Sequence, residues 1–388
     1  MRRIIALAVV LLGLVGMGQA MAGDREIAAL EAVLKPGAAE LSLFSDAFLK
    51  AVPPATLQPV LDGIKLTIGP VLSIEPRGGA SYAVETGTHE MAADIVLDAD
   101  GRIGGLLLHP PIAKNASIDD VLKDLSAVAP QSALLVTKDG ATLYAANPDR
   151  ALAVGSAFKL GVLKALSDEI DAGTRKWTDV VTLEARDLSF PSGMLQGWPV
   201  GSPLTLQTLA ALMISISDNT AADALLHLVG RDKVEAALGI APALTTRELF
   251  TLKGSSELKA RYVAGDLAAK RAVLEEADQL PLPDISKVGT PHDQGVEYYV
   301  PPTKLCALIE AVADLDAMQI NPGVARPGDW AKISFKGGSE IGVLSFVTAL
   351  TAKDGAKYCV SAVWNGPQAL DESKAAAAYA GLLAKLKG

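Results

Sequence analysis

Cysteine is almost missing from this chain of 388 residues, which has only Cys306 and Cys359. That excludes a small disulfide-dense scaffold, and no cysteine or histidine stands at metal-ligand spacing. Both cysteines lie in apolar stretches, so they are either bridged in an oxidising compartment or buried as free thiols. Aromatic residues are only 5%, which leaves Leu, Val, Ile and Ala to build the core. The four histidines (His89, His109, His227 and His292) form no His-x-His or His-Glu-x-x-His pair, which speaks against a zinc hydrolase. His227, within Leu225-Leu226-His227-Leu228, reads as a packed helix residue. Neither Ser156 nor Ser339 sits in Gly-x-Ser-x-Gly, which argues against an α/β-hydrolase. Basic residues form no cluster, and 35 of them against 44 acidic ones give a formal charge of −9. Such a chain is a poor partner for nucleic acid, whose binding rests on neutralised phosphates. A composition of 50% hydrophobic and 20% charged residues belongs to a folded protein, and no metal or other cofactor is expected.

The first 22 residues have the parts of a secretory signal. Arg2-Arg3 precedes an apolar run from Ile4 to Gly18, and Ala20-Met21-Ala22 forms a small-x-small cleavage site before Gly23. The run is shorter than the roughly 20 apolar residues that span a bilayer. Residues 1–22 are therefore read as a signal peptide and the mature chain as periplasmic or secreted, with no membrane contact after cleavage. Residues 23–110 read as a small α+β domain. Ile27, Leu30, Val33 and Leu34, then Leu41, Phe44, Phe48 and Leu49, recur at helical spacing through 26–62. From Gly63 the pattern turns to strands, at Ile64–Ile68, Tyr82–Thr86, Asp94–Leu97 and Ile103–Leu108. Residues 111–117 read as a linker after His109-Pro110-Pro111. Within 118–388, an acidic helix start at Ser117-Ile118-Asp119-Asp120 leads to a hairpin around Lys138-Asp139-Gly140. A mostly helical middle spans 157–240, and 253–297 reads as charged and loop-rich. Strands are expected at 332–336, 343–350 and 357–364, and a helix over 370–387. Strands at both ends with helices between predict an antiparallel sheet flanked by helices, plus a helical subdomain.

Three short strings carry chemistry. Ser156-Ala157-Phe158-Lys159 opens a helix, so the hydroxyl and the amine share one face. A Lys that loses its charge on burial can take the proton of a neighbouring Ser, which makes an activated nucleophile with its own base. The plain alternative is a helix cap with a solvated Lys. Ser217-Asp218-Asn219 offers a second hydroxyl to relay a proton and an amide to hold a substrate carbonyl, although all three types also favour helix starts. Phe335-Lys336-Gly337-Gly338-Ser339 ends one apolar strand before another. There Lys336 suits a substrate carboxylate, and the glycines let a substrate approach backbone N–H groups.

In this order the three strings resemble the penicillin-recognising serine hydrolases, specifically the class A β-lactamase-like group. The run from Leu204 to Asn219 and Asn219-Thr220-Ala221-Ala222-Asp223 look like that group too, and the resemblance covers roughly 118–388. It implies a β-lactamase-like domain in which Ser156 forms the acyl-enzyme, Lys159 is its base partner, Ser217 relays the proton and Lys336 anchors a carboxylate. Asn219, Phe335, Gly338 and Ser339 would bind substrate, with the backbone N–H groups of Ser156 and Ser339 as the oxyanion hole. Gly337 replaces the Thr or Ser usual in class A enzymes. No Glu-x-x-Leu-Asn string lies between Asn219 and Lys336, and Glu248 is the nearest candidate for its deacylating acid. The two-domain subgroup that includes the clavulanic-acid-cluster hydrolase is similar in having a cystatin- or cyclase-like domain before a β-lactamase-like one. By that resemblance the N-terminal domain would pack near the catalytic mouth. The expected activity is slow hydrolysis of β-lactam-like amides or esters. The alternatives are a D-Ala-D-Ala peptidase, a protein that acylates without releasing the acyl group, and a structural protein with a relic site.

Overall fold

The computed structural model describes residues 22–284, 288 and 295–387. The signal segment, apart from Ala22, and His292 lie outside the described residues. The chain divides into two compact units. One holds residues up to Leu125 together with Ser373–Leu386, and the other holds Ser126–Glu372 and Lys387.

In the first unit, helices α1 (Ala22–Leu34), α2 (Asp46–Ala51) and α3 (Pro54–Ile68) precede an antiparallel sheet. Its strands run in the order β1 (Val71–Gly78), β2 (Ser81–Thr86), β3 (His89–Leu97) and β4 (Ile103–Leu108), with β5 (Ile112–Ala113) paired to β3. Helix α4 (Ile118–Ser126) follows. Leu30, Val33 and Leu34 recur on one face of α1, and Leu57, Leu61 and Ile68 on one face of α3. Together with Tyr82, Val84, Met91, Ala93, Ile95, Ile103 and Leu106 they make one buried cluster. The strand expected at Ile64–Ile68 is instead the last turn of α3. The spacing Leu57, Leu61, Ile68 is helical, and the alternation Ile64-Leu66-Ile68 is incidental, since Leu66 is fully solvent-facing at 88%. Gly69, at φ 70°, closes the helix, and the sheet begins at Val71.

The second unit is built on a five-stranded antiparallel sheet. Strands β6 (Gln131–Lys138) and β7 (Ala141–Ala146) form the hairpin at one edge, and β12 (Lys332–Glu340), β13 (Val343–Thr351) and β14 (Lys357–Asn365) complete the order β12-β13-β14-β6-β7. The sequence between them holds two two-stranded ribbons. These are β8 (Leu152–Ala153) with β11 (Tyr299–Val300), and β9 (Val180–Thr182) with β10 (Pro203–Thr205). Around them lie α5 (Lys159–Asp171), α6 (Leu206–Ser215), α7 (Asn219–Val229), α8 (Arg231–Leu238), α9 (Thr246–Gly254), α10 (Ser256–Ala264), α11 (Leu267–Asp278) and α12 (Pro302–Val312). The last helix, α13 (Glu372–Leu386), belongs from Ser373 onward to the first unit. Leu160, Val162, Leu163 and Leu166 of α5 meet Leu209 and Met213 of α6, Leu225 of α7 and Ile309 of α12 in a single large core. No described helix is long and apolar enough to cross a membrane.

Two expectations are corrected here. Residues 256–278, expected to be loop, are helices capped by the Ser255 and Asp266 side chains. They bury Leu258 and Tyr262, then Val273, Leu274 and Ala277, at helical spacing beneath their charged faces. The strand expected at 332–336 runs on to Glu340, so the string Phe335–Ser339 forms the last part of β12, paired with β13 throughout. Cys306 on α12 and Cys359 on β14 are joined as a disulfide, so the open choice between bridge and free thiols falls to the bridge. The bond closes a loop across 53 residues of sequence. Replacing both cysteines by Ser should lower the unfolding free energy of this unit by about 2–4 kcal/mol in chemical denaturation.

Candidate active site

The residues singled out in the sequence meet where the start of α5 touches the edge strand β12. After β8 the chain makes a tight turn, Gly155–Phe158, into α5, with Gly155 at φ 50°. The turn is held from three sides. Val154 N donates to Tyr298 O at 3.0 Å, Ser345 Oγ donates to Val154 O at 2.7 Å, and the Phe158 ring stacks on Tyr298 with centroids 3.8 Å apart. Ala157 and Phe158 are buried, and Ser156 is half-buried at the rim. The backbone of Gly338 presses into this turn. A Cβ on Gly338 would stand 2.1 Å from Val154 O and 2.5 Å from Ser156 N, and one on Gly155 would stand 3.2 Å from Ser339 N. The amide nitrogens of Ser156 and Ser339 therefore lie on either side of one glycine–glycine contact. Gly338 is needed here for the approach of the protein's own turn at Val154–Ser156.

Behind this contact two lysines meet one hydroxyl. Lys159, in the first turn of α5, is fully buried. Its Nζ donates to Ser217 O at 2.5 Å, Asn219 Oδ1 at 2.6 Å and Ser217 Oγ at 3.3 Å. Lys336, also buried, donates from the other side to Ser217 Oγ at 2.9 Å and to Gly337 O at 2.6 Å. Burial lowers the Lys159 pKa to about 7, against the opposing pull of Asp223 and Asp218. Burial and then the nearby Lys159 hold Lys336 well below the usual lysine range. Ser217 turns the chain in the left-handed region, φ 59°, to offer its hydroxyl to both amines.

Asp218 and Asp223, which the sequence presents only as parts of longer strings, both anchor this arrangement. Asp218 caps α7 through Ala221 N and accepts from Met194 N at 2.7 Å and Leu195 N at 2.9 Å, which fastens the 192–198 loop beside Ser217. Asp223 accepts from the backbone of Thr246 and Arg247 and from the Thr246 hydroxyl, and burial pushes its carboxyl up to about 7. Their signal was position: an acid at a helix start, and an acid one turn further along the same helix.

Other expected residues are placed elsewhere or engaged differently. Asn219 holds Lys159 through Oδ1 and donates from Nδ2 to Phe190 O at 3.0 Å. Alternation along β12 puts Lys336, Gly338 and Glu340 on one face and sends Phe335 to the other, where its ring lies beside Gly323 and Phe346. Ser339 shares the Phe335 face and reaches the junction through its backbone nitrogen. Both Glu248 oxygens are occupied: it forms a bidentate pair with Arg231 and a reciprocal cap with Thr245 at the start of α9. His227 is packed on α7, bonded to Asp187 at 2.7 Å. Among the described residues no group of three His, Cys, Asp or Glu could hold a metal ion.

A model of the Beta-lactamase enzyme family matches residues 115–274. The β-lactamase from Sphaerobacter thermophilus DSM 20745 is 21% identical over 70% of this chain and 95% of its own, with a TM-score of 0.50. A β-lactamase from Francisella tularensis is 15% identical over 70% of this chain and 100% of its own, with a TM-score of 0.49. The structure titled PBP-A is 17% identical over 69% and 95%, with a TM-score of 0.48. No curated protein matches the chain. The chain thus has a β-lactamase-like fold. Replacing Gly338 by Ala should force β12 away from the Ser156 turn. The second unit should then lose about 1–3 kcal/mol of unfolding free energy, measured by chemical denaturation.

Proposed function

We propose that this chain is an exported serine hydrolase that opens β-lactam-like amides or esters through an acyl-enzyme on Ser156. The observation that carries this reading is the buried Lys159 amine, which loses its charge near neutral pH one helical turn from a half-buried serine. A neutral Lys159, directly or through Ser217, takes the Ser156 proton as the oxygen attacks the carbonyl carbon. The N–H groups of Ser156 and Ser339 hold the oxyanion of the tetrahedral intermediate. As that intermediate collapses, the leaving nitrogen or oxygen takes a proton back through Ser217; a substrate carboxylate beside Lys336 raises that amine's proton affinity and is held by the ammonium that results. Residues 1–22 supply the export signal.

One observation favours slow release of the acyl group. Glu248, the acid nearest in sequence to the expected deacylating position, is fully buried and committed to Arg231 and Thr245. An acyl-enzyme made here would outlast that of an enzyme with a free carboxylate over the ester. The test is to mix the purified protein with penicillin, a chromogenic cephalosporin or a D-Ala-D-Ala peptide and follow intact mass and absorbance. A transient or lasting adduct on Ser156 is expected with at least one of them. Ser156→Ala should stay folded by circular dichroism while losing at least about 10⁴ in rate, and wild-type activity in that variant refutes the assignment. The acylation rate should fall as pH drops through about 7, where Lys159 gains its proton. A rate independent of pH between 5 and 8 would exclude Lys159 as the base.

A further inference from the structure

The proposed reaction leaves one buried charged cluster of the same unit unused. Lys253, in the last turn of α9, donates from Nζ to Glu297 and, at 2.5 Å, to Glu340 Oε2 at the end of β12. Lys253 and Glu297 are buried, and Glu340 is nearly so. The second oxygens, Glu297 Oε2 and Glu340 Oε1, are also buried, and no donor reaches them among the described residues. Accepting from one amine brings the two carboxyl groups together, and their second oxygens have no other donor among the described residues. One ammonium cannot neutralise two carboxylates drawn to it out of water, which favours a proton kept between the two acids. Burial, and then Glu340, push the Glu297 carboxyl well above its ordinary range. Farther off, Asp223 and Glu248 are the other acids whose charge reaches the adjoining Tyr298.

The cluster joins the segments that build the candidate oxyanion hole. Glu340 directly follows Ser339 and shares a strand face with Gly338. Glu297 directly precedes Tyr298, whose carbonyl takes Val154 N and whose ring stacks on Phe158. Lys253 closes the helix that begins at Thr246, the residue bonded to Asp223. We propose that Lys253, Glu297 and Glu340 form a positioning unit that, through their shared proton, sets the spacing between the Ser339 and Ser156 amides. The unit touches no substrate. With the proton in place, Glu340 is drawn to Glu297 and the end of β12 is held down. When it is lost, two carboxylates face each other at contact, Glu340 is repelled, and the Ser339 N–H shifts from the oxyanion position. This inference rests on the acyl-enzyme reading above.

The test compares the full chain with its Glu297→Gln and Glu297→Leu variants, using penicillin G and p-nitrophenyl acetate. Adduct formation on Ser156 is followed by rapid quench and intact mass from pH 7 to 10. Gln carries a fixed N–H where the shared proton sits. Glu297→Gln should therefore acylate within about twofold of wild type at pH 7.5 and lose the alkaline fall in maximal rate that wild type shows. Glu297→Leu should lower the maximal acylation rate at least tenfold with half-saturation unchanged. If it does not fold, Glu297→Gln decides alone. The proposal is overturned if wild type shows no alkaline fall, if Glu297→Gln keeps it, or if a folded Glu297→Leu acylates normally. Normal acylation with slowed release would also overturn it, because the cluster would then act on the deacylating water. A wild-type chain that forms no adduct with either probe refutes the acyl-enzyme reading instead.

Discussion

The candidate site depends on one approach, that of the Gly338 backbone to the turn between Val154 and Ser156. At that point there is no room for a single methyl group, and only a strand lacking a side chain there can lie against the turn. Once β12 is pinned there, its two-residue period distributes the rest. Lys336, two residues before the contact, lands at the Ser217 hydroxyl, and Glu340, two residues after it, lands at Lys253. Ser339 between them is left with its backbone nitrogen at the junction. A one-residue slip of β12 against β13 would turn Phe335 and Gly337 inward and remove both charged groups.

Burial makes this arrangement chemically useful. Lys159 and Lys336 converge on Ser217 with no carboxylate among the described residues bonded to either amine, so desolvation acts on both and favours their neutral forms. Asp218 and Asp223 are near enough to moderate the effect, but their oxygens are taken up by backbone N–H groups. Glu248 shows the opposite outcome for a buried ionisable group in the same unit. With Arg231 and Thr245 around it, its charge is satisfied and its work is to start a helix and hold a neighbour. Residue type alone does not separate these roles, and the donors around each group do.

Much of the framework was legible because it rests on local rules. The hairpin at Lys138-Asp139-Gly140, the long strands after 332 and the helical stripes of α1 and α5 follow from periodicity and turn chemistry that operate within a few residues. The errors came where a local pattern had two readings. Ile64-Leu66-Ile68 alternates like a strand while completing the helical spacing begun at Leu57. The charged surface of residues 256–278 hid the few apolar residues that make them helices. Alternation along β12 likewise sets Phe335 on the face opposite Lys336, beside Gly323 and Phe346.

By itself, the sequence determined the chemistry available to this protein. Ser156 and Lys159 lie one turn apart on any helix that contains them, and the glycines at 337 and 338 permit a close approach wherever that strand lies. Only the tertiary structure decided which groups meet. Ser217, Asn219 and Lys336 come to Lys159 from distant parts of the chain, as Glu297 and Glu340 come to Lys253. The proton affinities of these groups depend on how much water and which opposing charges remain around them after folding. Those surroundings come from packing between segments far apart in the chain, which spacing along it does not encode.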